Sequence, residues 1–379
     1  MTTPSPAVRV RDVGLALLAA GAFGCGAPQA PPPPTPLPGV PQSRLAALSR
    51  GVNVTRWFNS FGQTPSFGRQ LSADEVATIR RLGFRFVRLS VDPAYLEQRD
   101  DPDLLDSSMV AQLDAVIARM LGQQLAVIVT PFLHDLGVTD SASASRLARF
   151  WAVLATHLSG TEPDLVFLEV MNEPTFPRHP AAWAPLQQMI LAAMRRAAPR
   201  HTLIATGALW STVDGLVSLT PVRDPNVVYT FHFYEPHTFT HQNQPWANTA
   251  RLHDIPYPAD SLRCTAAVRA LNDSSAARRA SVYCAQRWDA PVIGAALDRA
   301  AEWSRGHGVP IFAGEFGAYC GAPGPDRLAW IQDVREALER RQIGWALWGW
   351  DDCFGLDSRH DDAGVLQLDT DMLRALGVG

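Results

Sequence analysis

The chain has 379 residues, of which 47% are hydrophobic and 18% charged, enough for one large domain or two small ones. Its formal net charge of −4 and its lack of a basic run argue against nucleic acid as a partner. All 33 basic residues are arginines. Without a lysine amine, Schiff-base enzymes, pyridoxal-phosphate enzymes and P-loop nucleotide hydrolases are excluded.

The first 25 residues have the pattern of an export signal. Arg9 and Arg11 precede the apolar stretch 13–24, which is too short to span a bilayer but fits a signal-peptide core. Cys25 ends this stretch and resembles the lipidated cysteine of bacterial lipoproteins, although the usual leucine three residues earlier is absent. Cleavage near Ala30 is the alternative. We expect an exported protein that is periplasmic, secreted or anchored by lipid to the outer membrane.

Residues 26–45 are assigned to a linker, because prolines crowd positions 31–41 and favour a stiff, extended chain. From residue 50 onward, apolar runs alternate with segments of helical period. The predicted strands are Gly51–Arg56, Phe84–Ser90, Ala126–Thr130, Leu165–Met171, Thr202–Thr206, Val227–Phe233, Ile311–Gly314 and Gly344–Trp348. The predicted helices are Ala73–Leu82, Asp106–Leu121, Ala144–Leu158, Pro180–Ala198, Ile293–His307 and Asp326–Arg340.

Eight strands with intervening helices predict a single (β/α)8 TIM barrel over residues 46–379. The strands read as continuous apolar runs, as expected for parallel strands buried on both faces. A doubly wound open sheet is the structural alternative. It usually has a glycine-rich first turn, and Gly51-Val52-Asn53 is not one.

The connection after the sixth strand, residues 236–291, is predicted as one long loop without regular structure. It holds two cysteines and the aromatic residues Trp246, Tyr257, Tyr283 and Trp288, which favours an ordered, cross-linked loop. We predict the disulfides Cys264–Cys284, within this loop, and Cys320–Cys353, after the last two strands. Four unpaired thiols are the alternative, and the spacing matches no zinc-ligand pattern.

Polar side chains stand at the ends of several predicted strands, where the chemistry of this fold gathers. They are Arg88, His134, Asn172, Glu173, His232, Tyr234 and Glu315, with Trp348 after the last strand. Singly, each is more often a solvated loop residue, a satisfied core histidine or a core aromatic. Together, two carboxylates across a barrel mouth are the minimum for glycoside hydrolysis, one protonated as acid and one ionised as nucleophile.

The segments "FLEVMNEP", "FHFYEP", "FAGEFG" and "GWALWGW" resemble glycoside hydrolase family five, the cellulase-type retaining hydrolases, over residues 50 to about 370. The resemblance implies Glu173 as the acid/base and Glu315 as the nucleophile. It also places Arg88, Asn172, His232, Tyr234 and Trp348 at recurrent substrate-site positions. The third strand departs from the family pattern, because "AVIVTPFLHD" puts His134 about two residues late. Glu169 is interpreted as a buried, arginine-paired barrel residue.

The sequence therefore predicts an exported, monomeric, retaining endo-β-glycanase that needs no cofactor or metal and acts on polysaccharide, with β-1,4-glucan as the first choice. β-Mannan, β-1,3-glucan and the cell's own exopolysaccharide are alternative substrates. A surface lipoprotein that binds glycans without cleaving them is an alternative of another class. A metal hydrolase using His232, His237 and His241 is a third, disfavoured by an unusual ligand spacing.

Overall fold

Eight parallel strands close into a barrel in the computed structural model, which describes residues 39–58, 71–133, 137–362 and 364–379. Each strand pairs with its neighbours in sequence, and the first pairs with the last. The predicted (β/α)8 barrel is confirmed. The strands are β1 (Arg50–Phe58), β2 (Phe86–Val91), β3 (Ala126–Pro131), β4 (Val166–Glu169), β5 (Thr202–Thr206), β6 (Val227–Phe233), β7 (Ile311–Phe316) and β8 (Gly344–Leu347).

Helices connect the strands on the outside of the barrel. Polar N-caps start several of them, and one begins with a capping box, in which the side chains of Ser72 and Glu75 accept from each other's backbone N–H groups. The helices are α1 (Gln42–Ala47), α2 (Ala73–Arg81), α3 (Pro93–Leu96), α4 (Ser107–Gly122), α5 (Ser141–Leu158), α6 (Trp183–Ala197), α7 (Val213–Val217), α8 (His237–Thr240), α9 (Ser261–Ala270), α10 (Ser274–Gln286), α11 (Ala290–His307), α12 (Gly324–Arg340) and α13 (Thr370–Ala375).

The apolar core has two layers separated by the strands. The larger one fills the space between strands and helices. The smaller one fills the lower half of the barrel with residues such as Phe86, Phe167 and Phe312. Because side chains alternate along a strand, the residues two positions further on, Arg88 and Glu169, also point into the barrel, nearer its C-terminal mouth. The apolar floor thus supports a buried polar layer.

Gly51 on β1 makes room for this floor. A Cβ atom at position 51 would lie 2.3 Å from the ring of Phe86, which is wholly buried. Glycine at this position lets the aromatic ring occupy the middle of the barrel.

The long connection after β6 differs from the prediction. Residues 236–291 were expected to lack regular structure, but they contain α8, α9 and α10. The helices α9 and α10 form a hairpin that bears only small side chains and one tyrosine on its buried side, which explains the weak apolar period. Both predicted disulfides are present: Cys264–Cys284 joins α9 to α10, and Cys320–Cys353 joins the segments after β7 and β8, with Cα–Cα distances of 5.8 and 5.3 Å.

The signal-like segment, Cys25 and most of the predicted linker lie outside the described residues, as does His134. The helix α1 begins inside the range assigned to the linker. Within the described part of the chain, no helix is both long and apolar enough to cross a membrane.

We predict that Gly51→Ala lowers the free energy of unfolding by about 1–3 kcal/mol, because the added methyl group overpacks the barrel floor against Phe86. Chemical denaturation measures this. Gly160→Ala is the matched control, since a Cβ atom there has no neighbour within 4 Å. Equal stability of the two variants would contradict the packing account.

Candidate active site

The structure brings the predicted polar residues together at the C-terminal mouth of the barrel. Arg88 lies on β2, His232 on β6 and Glu315 on β7. Asn172 and Glu173 follow β4, Tyr234 follows β6, and Trp348 follows β8. Of the predicted set, only His134 falls outside the described residues.

A bulge in β7 turns Glu315 into the barrel. The pairing of β6 with β7 runs from Phe231–Ala313 to His232–Glu315, so β7 has one extra residue, Gly314. An extra residue reverses the alternation of side chains, and Glu315 therefore faces inward although Phe312 does too. A side chain at Gly314 would not fit, because its Cβ would lie 2.5 Å from the Thr230 hydroxyl oxygen.

The guanidinium of Arg88 is the centre of the site. Its Nε and Nη2 donate to the two carboxylate oxygens of Glu169, each at 2.7 Å. Its Nη1 donates to Glu315 Oε1 at 2.7 Å, and Nη2 also donates to Asn172 Oδ1 at 2.9 Å. The side chain is fully buried, which alone would lower its pKa, but the charges and hydrogen bonds of Glu169 and Glu315 raise the pKa above its usual value. Arg88 is therefore permanently charged.

Asn53 on β1 is a site residue that the sequence analysis missed. Its Oδ1 accepts from Arg88 Nη1 at 3.0 Å, and its Nδ2 donates to the carbonyl oxygens of Gly314 and Leu347 at 3.0 and 3.1 Å. It thus fixes both the arginine and the bulge that carries Glu315. The signal was available, since an amide within the apolar strand "GVNV" requires a polar partner inside the barrel.

Glu173 lies at the edge of the site, and its side chain is 27% exposed. Its backbone is left-handed, with a φ of 43°. Burial raises the pKa of Glu173 to about 7; the charge of Arg88 opposes this shift and that of Glu169 adds to it. The neighbouring amide of Asn172 uses its oxygen for Arg88, and its Nδ2 has no hydrogen-bond partner among the described residues. A carboxyl group with this pKa is protonated in a large fraction of molecules at neutral pH.

His232 stands between the two carboxylates. Its Nδ1 is 2.8 Å from Glu173 Oε1 and 3.3 Å from Glu315 Oε2, and its Nε2 is buried without a partner in the described part of the chain. Burial lowers the pKa of His232 to about 4, against the attraction of Glu315, so the ring is neutral at neutral pH. The geometry assigns the hydrogen to Nδ1, from which it is donated to a carboxylate oxygen.

Glu315 is almost fully buried but accepts two strong hydrogen bonds, from Arg88 Nη1 and from the Tyr234 hydroxyl at 2.9 Å. Burial raises the pKa of its carboxyl group, and the charge of Glu173 adds to the rise. His232, Arg88 and the Tyr234 hydrogen bond all lower it. Burial also raises the pKa of Tyr234 well above 10, so its hydroxyl stays a donor.

A carboxylate oxygen of Glu173 and one of Glu315 lie within 4.8 Å of each other. Carboxyl groups about 5 Å apart are typical of retaining glycosidases, whereas inverting enzymes leave room for a water molecule between them. These two oxygens and a nitrogen of His232 also have the spacing of metal ligands, but the guanidinium bonded to Glu315 places a positive charge where a cation would bind. The suggested set of His232, His237 and His241 does not converge, since His237 and His241 stack on each other.

Aromatic rings line the mouth. The ring of Trp348 lies next to Phe132, with centroids 6.4 Å apart, and is 9% exposed. Trp210 and Trp246 present 48% and 70% of their surface to solvent at the ends of other loops. Flat apolar faces beside a polar cluster suit sugar rings, whose C–H groups present an apolar face.

A (β/α)8 barrel with two glutamates at this spacing defines a class of protein, the retaining-type glycoside hydrolases. A model of the cellulase family, glycosyl hydrolase family 5, matches residues 48–353. The chain belongs to this family and is a glycoside hydrolase. The predicted family and enzyme class are confirmed, and a glycan-binding protein without catalytic residues is not favoured.

Similar proteins of known name agree with this assignment. The chain is 27% identical over 362 residues to endoglucanase 3 of Fibrobacter succinogenes; the match covers 89% of this chain but only 54% of that protein. It is 22% identical to endoglucanase C of Acetivibrio thermocellus, over 81% of this chain and 92% of that one. The solved structure of endoglucanase Cel5A from Thermotoga maritima has the same fold, with a TM-score of 0.71 at 23% identity, covering 89% of this chain and 99% of that one.

We predict that Arg88→Lys lowers the hydrolysis rate at least tenfold and the free energy of unfolding by about 2–3 kcal/mol. The reason is that the lysine ammonium has three N–H donors on one nitrogen atom, whereas the planar guanidinium has five on three nitrogen atoms. The ammonium therefore cannot bond Glu169, Asn172 and Glu315 at the same time. Steady-state kinetics and denaturation measure the two effects. Arg85→Lys, at an exposed position of the same segment, should change neither. A fully active Arg88→Lys variant would show that the fork is dispensable.

Proposed function

We propose that the chain is a retaining endo-β-1,4-glucanase in which Glu315 is the nucleophile and Glu173 the acid/base. The observation that carries this proposal is the pair of carboxylate oxygens within 4.8 Å of each other, in unlike surroundings. Glu315 contacts a guanidinium, a hydroxyl and a ring N–H, whereas Glu173 lies near the edge with a pKa of about 7. Donors oppose the rise that burial causes in the pKa of Glu315, whereas burial raises the pKa of Glu173 to about 7.

In the first step, a carboxylate oxygen of Glu315 attacks the anomeric carbon and the bond from that carbon to the glycosidic oxygen breaks. The proton of Glu173 passes to the departing oxygen, which leaves as an alcohol. In the second step, Glu173, now a carboxylate, takes a proton from water, and the hydroxide attacks the anomeric carbon. The ester bond to Glu315 breaks, and both carboxyl groups return to their starting states.

The neighbouring groups act on these steps. The Asn172 Nδ2, whose oxygen is fixed by Arg88, is placed to donate to the 2-hydroxyl of the sugar bound next to Glu315. The Tyr234 hydroxyl orients the attacking carboxylate through its hydrogen bond to Oε2. His232, neutral and bonded to Glu173 Oε1, holds the acid/base in place through both steps. Trp348 forms a platform for the sugar ring.

The choice of β-1,4-glucan follows the endoglucanases among the relatives, which cover most of this chain.

The N-terminal segment, with Arg9, Arg11 and Cys25, supports export and either lipidation or cleavage, which places the enzyme where polymeric substrates occur. Metabolic labelling with a palmitate analogue, compared between the full-length chain and Cys25→Ser, distinguishes the two forms of processing.

The catalytic assignment is tested by two substitutions at each of the two glutamates. Glu173→Gln and Glu315→Gln each lower kcat on soluble β-1,4-glucan by a factor of about 10³ or more, because each removes one half of the acid/nucleophile pair. Azide restores turnover in Glu173→Ala, where it enters the space of the lost carboxylate, and forms a glycosyl azide. Azide does not restore Glu315→Ala by the same route. Full activity in either Gln variant would contradict the assignment.

The pKa of Glu173 near 7 predicts how activity depends on pH. Glu173 is the acid in the first step, and its protonated fraction falls as pH rises through about 7, so kcat/KM should fall tenfold per pH unit above that value. Below it, activity rises with pH as Glu315 ionises. Since the two carboxyl groups interact, the apparent pKa values of the acid and alkaline limbs of the pH profile belong to the pair and not to either residue alone. With a dinitrophenyl cellobioside, whose leaving group needs no acid, Glu173→Ala should lose the alkaline limb; a limb that persists would belong to another group.

A further inference from the structure

The hairpin of α9 and α10, defined here as residues 261–287, is strongly basic. It contains five arginines and a single acidic residue, Asp273, whereas the chain as a whole has a formal net charge of −4. The hairpin is not a barrel element, and the Cys264–Cys284 disulfide joins its two helices. It is therefore a fixed, positively charged surface on an otherwise acidic protein.

Most of these arginines are not neutralised. Among the described residues, Arg269, Arg278, Arg279 and Arg287 form no ion pair, and all four are exposed. Of the five hairpin arginines, only Arg263 forms ion pairs within the described part of the chain, with Asp260 and Asp326. Unpaired positive charges gathered on one surface create a positive electrostatic potential, which attracts an anionic ligand.

A groove of about 300 Å³ lies between the hairpin and the loop before it. We call it the Arg279 groove; its polar lining consists of Asn248, Arg251, Asp273, Ser275 and Arg279. Arg279 Nη1 donates to the Asn248 carbonyl oxygen at 3.0 Å, and Arg251 pairs with Asp273 while remaining 78% exposed. Two guanidinium groups thus line a concavity with the size typical of small-ligand sites.

The groove continues the wall of the active site. The Tyr234 hydroxyl bonds Glu315, the Tyr234 ring lies 5.3 Å from that of His241, and the His241 ring lies 5.8 Å from that of Trp246. The residue before Trp246, Pro245, lines the groove. Burial and then the charge of Arg279 lower the pKa of His237, which stacks on His241, so the arginine acts electrostatically on this wall.

We propose that the Arg279 groove and the hairpin bind anionic substituents, carboxylate above all, on a β-glucan chain that extends from the active site past Trp246. The inference rests on the proposed function and adds to it a preferred substrate class, glucans with negatively charged side groups. A guanidinium recognises a carboxylate through paired N–H donors, and exposed arginines supply the charge at a smaller desolvation cost than buried ones. The uncharged sugar rings of the same glucan chain are bound by the aromatic rings and cleaved by the two glutamates.

The other anionic surface that a basic hairpin fits is a membrane with acidic lipids. The continuity with the active-site wall and the concave shape of the groove favour a polymer that enters the site. A flat lipid surface would not need either feature.

The test compares Arg278→Gln/Arg279→Gln with the wild-type protein on two soluble substrates with one backbone, carboxymethyl-cellulose and uncharged hydroxyethyl-cellulose. We expect kcat/KM on the anionic polymer to fall about fivefold, which corresponds to two exposed charge contacts of about 0.5 kcal/mol each. On the neutral polymer it should stay within twofold. At 0.5 M NaCl the difference should vanish, because salt screens exposed charges.

Arg196→Gln/Arg305→Gln is the matched control. It removes the same charge from exposed positions at the C-terminal ends of α6 and α11, at the opposite end of the barrel from the site. If this variant loses as much activity on carboxymethyl-cellulose as the hairpin variant, net charge is responsible and the groove is not a site. Unchanged melting temperatures of both variants make the comparison valid.

A second measurement does not require catalysis. Native electrophoresis in gels containing each polymer measures binding directly, and vesicles with 30% phosphatidylglycerol measure membrane binding. If the wild-type protein is retarded only by the anionic polymer and the hairpin variant is not, the groove proposal stands even if no polymer is cleaved and the proposed function fails. If both proteins cleave and bind the two polymers alike, or if the hairpin variant loses only vesicle binding, the groove proposal is overturned while the glucanase proposal remains.

Discussion

The buried guanidinium of Arg88 is the interaction on which the rest of the site depends. Its donors bond Glu169, Asn172, Glu315 and Asn53, which lie on or follow three different strands of the barrel, while Arg88 itself lies on a fourth. A buried charge of this kind is stable only if it is paired, and Glu169 is its ion-pair partner within the layer. The paired arginine in turn fixes Glu315 and the amide of Asn172, so the requirement for charge neutralisation and the geometry of the site are one constraint.

The same layer gives the two carboxylates of the site different properties. Glu315, at the end of the β7 bulge, is surrounded by donors from Arg88, Tyr234 and His232. Glu173, which follows β4 and has a positive φ, bonds the neutral His232 and has its pKa raised by burial. The surroundings of Glu315 therefore favour the ionised carboxylate more than those of Glu173 do, which is the division of roles that double displacement requires. The barrel sets this difference through the placement of its donors.

Sequence reasoning recovered the barrel because continuous apolar runs mark strands buried on both faces; Thr202–Thr206 and Val227–Phe233 have the predicted bounds. β4 ends earlier than predicted, at Glu169, although the backbone of Asn172 still bonds β3. The hairpin was missed because alanine, serine and arginine give no apolar period, and its buried face consists of small side chains. The amide of Asn53 in an apolar strand indicates a buried polar partner, but no local pattern identifies its partners across the barrel, Gly314 and Leu347.

The central claim is that Glu315 forms the covalent bond to the sugar while Glu173 transfers the proton. The most direct measurement is peptide mass spectrometry after incubation with an activated 2-deoxy-2-fluoro-cellobioside, which slows release of the glycosyl-enzyme. The account predicts one added fluorocellobiosyl group, located on Glu315. A label on a different carboxylate would contradict the account, as would turnover of this reagent to a product of inverted configuration without any labelled enzyme.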